Sequence, residues 1–255
     1  MAVLKVNNLS KTFGGLEAVR NIDIALEKNE LVGLIGPNGA GKTTVFNLLT
    51  GVYKATEGEM FLEEHDLSGL KPFQITSLGV ARTFQNIRLF NDLTVLDNVR
   101  IAMHWHRSYP LVSALFRLPG FSKWEAGIVE EAEKILEIFN LLDSKKEIAK
   151  NLPYGEQRRL EIARAIAAKP KLLLLDEPAA GMNPKETKEL MGLIMWLRDH
   201  LDMTILLIEH DMSLVMGVCE RIIVLDHGEI IAQGPPEEIK QDKRVIAAYL
   251  GEEAV

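Results

Sequence analysis

Apolar positions along this chain fall into two rhythms. Short runs at Leu4 to Val6, Ile22 to Leu26, Leu31 to Ile35, Glu59 to Leu62, Leu172 to Asp176, Ile205 to Ile208, Arg221 to Leu225 and Ile230 to Ala232 have the length and branched-aliphatic content of strands. Elsewhere the spacing lengthens to the helical period. It does so most clearly at Val95 to Met103, Glu125 to Leu142 and Glu156 to Ala168, where for example Ile128, Ile135, Leu136 and Phe139 share one face. Strands alternating with helices predict an α/β fold built on a mainly parallel sheet with an antiparallel β portion. The concentration of helices predicts a helical lobe over residues 85–170, inserted in a core formed by residues 1–84 and 171–255. The chain carries no internal repeat, and Gly251 to Val255 are expected to fray.

Composition narrows the class. With 47% hydrophobic and 25% charged residues and a mean hydropathy of +0.04, the chain reads as an ordinary folded protein, which excludes disorder and collagen-like order. No apolar stretch approaches the ~18 to 20 residues that span a bilayer, and Met1 to Thr12 lacks a signal-peptide pattern, so the chain is expected to stay in the cytosol. A net charge of −7 offers no broad basic surface, and no nucleic-acid partner is expected. The single cysteine, Cys219, has no partner for an internal disulfide and reads as a buried apolar filler.

Candidate chemistry begins at residues 36–43. Gly36-Pro37-Asn38-Gly39-Ala40-Gly41-Lys42-Thr43 is a complete G-x-x-x-x-G-K-T phosphate loop, set between the strand-like Leu31 to Ile35 and the helix-like Val45 to Leu49. The glycines let successive N–H groups turn inward on phosphate oxygens, and the positive end of the following helix adds to that attraction. Lys42 is expected to hold the β- and γ-phosphates, Thr43 to offer its hydroxyl to Mg²⁺, and Thr44 to continue the phosphate-binding turn. The run Leu172-Leu173-Leu174-Leu175 ends in Asp176 and Glu177. A strand buried on both faces would deliver these acids to the carboxyl edge of the sheet, Asp176 toward Mg²⁺ and Glu177 toward the water that attacks phosphorus.

This pairing of motifs resembles the ATP-binding cassette (ABC) family, whose core is of the P-loop NTPase type. The resemblance implies ATP and Mg²⁺ as ligands and adds residues that spacing alone does not assign. Phe13, in Lys11-Thr12-Phe13-Gly14-Gly15, stands where the family places an aromatic against adenine. Gln85, in Thr83-Phe84-Gln85-Asn86, matches the glutamine that touches Mg²⁺ or the water and joins core to lobe. His210, in Ile208-Glu209-His210-Asp211, matches the histidine that contacts the γ-phosphate. The other five histidines are read as structural or solvated. The family signature corresponds to Leu152-Pro153-Tyr154-Gly155-Glu156, with Pro153 where the usual serine stands, so Gly155, Glu156 and the helix N-terminus must carry more of the contact with a nucleotide held by a second copy. Asn183 likewise stands where many cassettes have aspartate.

Across almost the whole chain the strings Arg82 to Gln85, Tyr154 to Arg164, Ala179 to Thr187 and Ile208 to Met212, with the ending Tyr249-Leu250-Gly251, are similar to the Liv-type importers of branched-chain amino acids, in particular the longer of their two ATPase subunits. That implies an ATPase at the cytoplasmic face of the cell membrane. Its partners would be integral-membrane permease subunits, a second ATPase subunit and, indirectly, an external solute-binding protein. The aromatic and basic stretch His104 to Trp124 is either a partner-facing surface or an insertion packed on its own lobe. Two other readings stand beside the importer: the ATPase of a lipid or lipopolysaccharide exporter, and a non-transport cassette acting on ribosomes or DNA.

Overall fold

The computed structural model describes residues 2–103 and 119–250. Its centre is a six-stranded sheet in the order β10-β9-β3-β8-β7-β6, comprising β3 (Leu31–Ile35), β6 (Val80–Arg82), β7 (Leu172–Asp176), β8 (Thr204–Ile208), β9 (Arg221–Asp226) and β10 (Glu229–Gly234). Strands β9, β3, β8, β7 and β6 pair in parallel, and β10 closes one edge antiparallel to β9. Every residue of β3, β7 and β8 is buried, as expected of strands covered on both faces.

Apolar side chains of β3, β7, β8 and β9 divide by parity. Leu31, Ile35, Leu173, Leu175, Ile205, Leu207, Ile222 and Val224 join one core with α3 (Val95–Met103), α4 (Pro119–Ile138), α5 (Tyr154–Ala167), α6 (Pro184–Leu201), α7 (Met212–Val218), α8 (Pro236–Gln241) and α9 (Lys243–Leu250). The alternate positions Val32, Leu34, Leu172, Leu174, Leu206, Ile208, Ile223 and Leu225 join a second core with α1 (Lys42–Leu49) and a four-stranded antiparallel sheet, β2-β1-β4-β5. That sheet comprises β1 (Ala2–Phe13), β2 (Leu16–Glu27), β4 (Glu57–Leu62) and β5 (His65–Asp66). The parallel sheet is therefore a partition with a different layer on each side. A short helix, α2 (Pro72–Leu78), leads into β6.

Several boundaries depart from the periodicity. Strands β1 and β2 are 12 residues each, far longer than Leu4 to Val6 and Ile22 to Leu26 suggest. Their alternation breaks at Asn8 (φ 48°) and Asn21 (φ 43°), two left-handed residues at irregularities in the strand register, so the period-2 reading stops at each. Helix α4 ends at Ile138 rather than Leu142, because Asn140 takes φ 53° and the Leu141 N–H returns to the Leu136 carbonyl at 2.8 Å, a Schellman-type stop. Strands β5 and β6 and helix α2 are too short to show a period. Of the stretch His104 to Trp124, residues 104–118 lie outside the described ones, as do Gly251 to Val255; Trp124 packs partly buried against the helical core.

Candidate nucleotide site

The phosphate loop leaves the carboxyl end of β3 and returns as α1. Gly36 has φ 151°, and a Cβ there would lie 1.9 Å from the Leu225 carbonyl oxygen, so no other residue fits between β3 and the end of β9. The Lys42 side chain folds back over the loop, its Nζ donating to the carbonyls of Gly36 at 2.7 Å and Pro37 at 2.9 Å. Burial lowers its pKa, opposed by the charges of Glu177 and Asp176 nearby. The first-turn N–H groups of α1 have no carbonyl behind them within the helix, which makes this end an anion site.

A cavity of ≈ 360 Å³ opens above the loop. Its walls are Ala18, the segment Asn38 to Thr44, Gln85, Glu177 and His210. Residues far apart in sequence are thus brought onto one space: Gln85 lies beyond β6, Glu177 at the end of β7 and His210 beyond β8. Brought together at the carboxyl ends of parallel strands, they occupy the usual crevice of open α/β sheets. Glu177 is held in the left-handed region (φ 48°), its N–H bonded to the Ile208 carbonyl at 2.9 Å. Its carboxylate is bracketed: Gln85 Nε2 donates to Oε2 at 2.8 Å, and His210 Nε2 lies 2.7 Å from Oε1. Backbone strain at an acid of this kind accompanies functional sites.

Asp176, one residue earlier, is in a different setting. It is buried, and its Oδ2 accepts from Arg82 Nη2 at 2.7 Å. Glu209 supports the loops from behind, accepting the Ala179 N–H on Oε1 at 2.8 Å and the His210 N–H on Oε2 at 3.2 Å. Burial pushes the Glu209 carboxyl up, against the pull of those two N–H groups.

Besides Asp176 and the loop residues Gly36 and Pro37, which are not among the lining residues, three expected residues lie on other parts of the molecule. Phe13 is on the surface at the end of β1, packed edge-on to Tyr53 (ring centroids 5.1 Å apart) with Lys11 Nζ 4.8 Å from its ring centre. Gly155 and Glu156 lie in the first turn of α5, beside Glu186 and Arg159 respectively. This end of α5 is tied to the loop before α6, where the Tyr154 hydroxyl donates to the Ala180 carbonyl at 3.0 Å. Pro153 caps α5 without a side-chain bond, and its carbonyl accepts from the N–H groups of Glu156 and Gln157. Asn183 caps α6 in a full capping box with Glu186.

Reasoning from sequence overlooked four charged residues. Glu209 bonds the His210 backbone and Arg82 the buried Asp176; Arg158 and Glu161, on α5, grip the backbone around Gln85. Arg158, fully buried, donates to the carbonyls of Phe84 at 2.6 Å and Gln85 at 2.7 Å and to Glu161 Oε2 at 2.8 Å. Glu161 Oε1 accepts the Arg88 N–H at 3.0 Å, and burial raises its pKa. Glu209 carried a usable signal, being an acid at the carboxyl end of an apolar strand. Arg158 and Glu161 sit in a charged string that looks solvated, and Arg82 is a single charge after Val80 and Ala81; nothing local marks the three as buried.

Residues 19–180 match the family model described as ABC transporter, and residues 229–255 match that of the branched-chain amino acid ATP-binding cassette transporter. The chain is 52% identical over 250 residues to the high-affinity branched-chain amino acid transport ATP-binding protein LivG of Escherichia coli, covering 98% of each. It is 47% identical to BraF of Pseudomonas aeruginosa, which bears the same description, again over 98% of each. Among solved structures it is similar to the ADP conformation of MJ1267, an ATP-binding cassette of an ABC transporter, with a TM-score of 0.84 and 31% identity over 98% of this chain and 99% of that one. The phosphate loop, the cavity above it and these likenesses lead to one assignment: the chain belongs to the ABC transporter family and is one of its nucleotide-binding ATPase subunits.

Proposed function

We propose that this subunit hydrolyses ATP to drive import of branched-chain or related amino acids, and that the observation carrying its chemistry is the Glu177 carboxylate held between Gln85 and His210 beside the phosphate loop. Gly36 to Thr44 bind the phosphates, with Lys42 exchanging its loop carbonyls for phosphate oxygens. Glu177 orients and deprotonates the attacking water, and His210 contacts the γ-phosphate. Phe13, with Tyr53 against it, offers an exposed aromatic face for adenine.

The donor set fits Mg²⁺: a hydroxyl at Thr43, a carboxylate at Asp176 and an amide at Gln85 are hard oxygen ligands for an ion that takes its remaining positions from water and phosphate. When bound, that ion neutralises charge developing on the phosphoryl group. Gly155 and Glu156, which are not among the residues lining their own cavity, serve a nucleotide on a second ATPase subunit. The helices over residues 85–170 act as a lobe whose contacts with a membrane permease transmit closure of the pair. No described helix is long and apolar enough to cross a membrane, so attachment to the cytoplasmic face runs through permease subunits, which receive solute from an external binding protein.

Purification of the tagged chain from native membranes in mild detergent, with identification of its partners and ATPase assay with and without branched-chain amino acids, tests this reading. Multi-spanning permease subunits and a second cassette subunit are the expected partners. Lipid-export proteins, ribosomes or DNA-repair components in their place would overturn the importer assignment.

A further inference from the structure

Arg82 ends β6, and both it and Asp176 have side chains only 6% exposed. While Nη2 donates to Asp176 Oδ2 at 2.7 Å, Nη1 donates to Asn47 Oδ1 at 2.7 Å and lies 3.4 Å from Thr50 Oγ1. The guanidinium also lies over two rings, Phe84 at 4.9 Å and Phe46 at 5.4 Å. Asn47 in α1 and Thr50, its C-cap, follow Thr43 at positions i+4 and i+7, so the three lie along one side of that helix. One side chain thus joins the strand that ends in Asp176, the helix that begins at Thr43 and the segment that leads to Gln85.

Burying a guanidinium is unfavourable unless its donors are engaged; here Nε has no partner, while Nη1 and Nη2 are spent on two different elements. A lysine ammonium, a point charge on a flexible stem, cannot hold both directions in one plane. With Oδ2 occupied, Oδ1 is the Asp176 oxygen available to a cation.

We propose that Arg82 is a positioning residue for the Mg²⁺ site. It fixes the Asp176 carboxylate in one orientation and ties its strand to the Thr43 helix, so that the two protein oxygens offered to the cation keep a set separation. Its stacking on Phe84 extends the same cross-link toward Gln85. This inference rests on the assignment of Thr43 and Asp176 to the metal made above.

The test uses Mn²⁺ as a paramagnetic stand-in for Mg²⁺, titrated by electron paramagnetic resonance into the full chain with ADP. Binding of a fluorescent ADP in EDTA and thermal melting run in parallel. Arg82→Lys is expected to weaken Mn²⁺ binding about tenfold, the low end for residues that orient metal ligands, while ADP affinity in EDTA stays within about twofold. Asn47→Ala, which breaks only the tie to α1, is expected to weaken Mn²⁺ binding about threefold with melting near wild type. Mn²⁺ affinity unchanged in both variants, or an equal loss of ADP affinity in EDTA, would reduce Arg82 to a packing role and overturn the inference. Failure of the wild-type chain to bind Mn²⁺ with ADP would overturn the metal assignment itself, an outcome distinct from a variant that fails to respond.

Discussion

Two polar clusters meet at Gln85 and differ in almost every physical respect. Its side chain belongs to the open cluster with Glu177 and His210, where the His210 side chain is 44% exposed and the carboxylate is 15% exposed. Its carbonyl belongs to the closed cluster with Arg158 and Glu161, whose side chains are 0% and 2% exposed. In the closed cluster the guanidinium is bonded to two backbone carbonyls and a carboxylate, and the acid is bonded in turn to the Arg88 N–H. Although the Arg158 Nε has no partner, charge buried this completely is out of reach of a substrate and can only fix shape. Charge in the open cluster keeps solvent contact and spare lone pairs, as chemistry requires. The residue between them is therefore held by its backbone and free to act by its side chain.

The sharpest division of the two comes from Glu177→Gln. Turnover should fall about a thousandfold, the scale of a lost general base, while the melting transition and ATP binding hold near wild type. Phosphate release and nucleotide titration check this, and turnover near wild type would remove the chemistry from the open cluster. Arg158→Met should do the reverse: about 3 kcal/mol of stability lost, because Glu161 is left as a buried acid without its guanidinium partner. A denaturant midpoint shift reads it out. A loss under about 1 kcal/mol would mean that water reaches the closed cluster and that the contrast is one of degree.

A smaller change probes the support behind His210. Asp211 caps α7, accepting the Leu214 N–H at 3.2 Å and the Ser213 hydroxyl at 2.6 Å. These bonds, the hydroxyl first, hold its carboxyl below the ordinary 3.8. Asp211→Ala should cost about 1 kcal/mol at neutral pH. Since the folded-state value is depressed, that contribution is present above the unfolded value and is lost as pH falls through the folded one. The difference between wild type and variant should accordingly shrink below about pH 4, as melting across pH will show. A gap that persists into acid would assign the effect to packing.

Much of this architecture is legible in the residues themselves. The phosphate loop, the acid pair after Leu172 to Leu175 and the fully apolar strands β3, β7 and β8 declare themselves because burial on both faces and glycine-dependent turns leave unambiguous compositions. What stays hidden is convergence. Gln85, Glu177 and His210 come together only because β6, β7 and β8 are neighbours in parallel register, and strand order is not written in any local pattern. Buried arginines are hidden for a related reason: Arg158 sits in the charged string Gln157-Arg158-Arg159, and its burial is decided by what packs over it from residues 84–88. Asn8 and Asn21 hid the full length of β1 and β2 by breaking alternation with a backbone conformation that side-chain hydrophobicity does not record.

One feature of the parallel sheet has a practical side. Gly33 on β3 lacks the atom that would strike Val215 at 2.9 Å and Cys219 Sγ at 3.1 Å, so α7 closes tightly over the sheet and seals the chain's single thiol beneath it. Burial pushes that thiol's pKa to about 12, and as a thiol it is inert to alkylating reagents while the helix stays down. Cys219 is thus a built-in timer: its labelling rate would count the openings of the segment that follows His210, with no reporter group added to the protein.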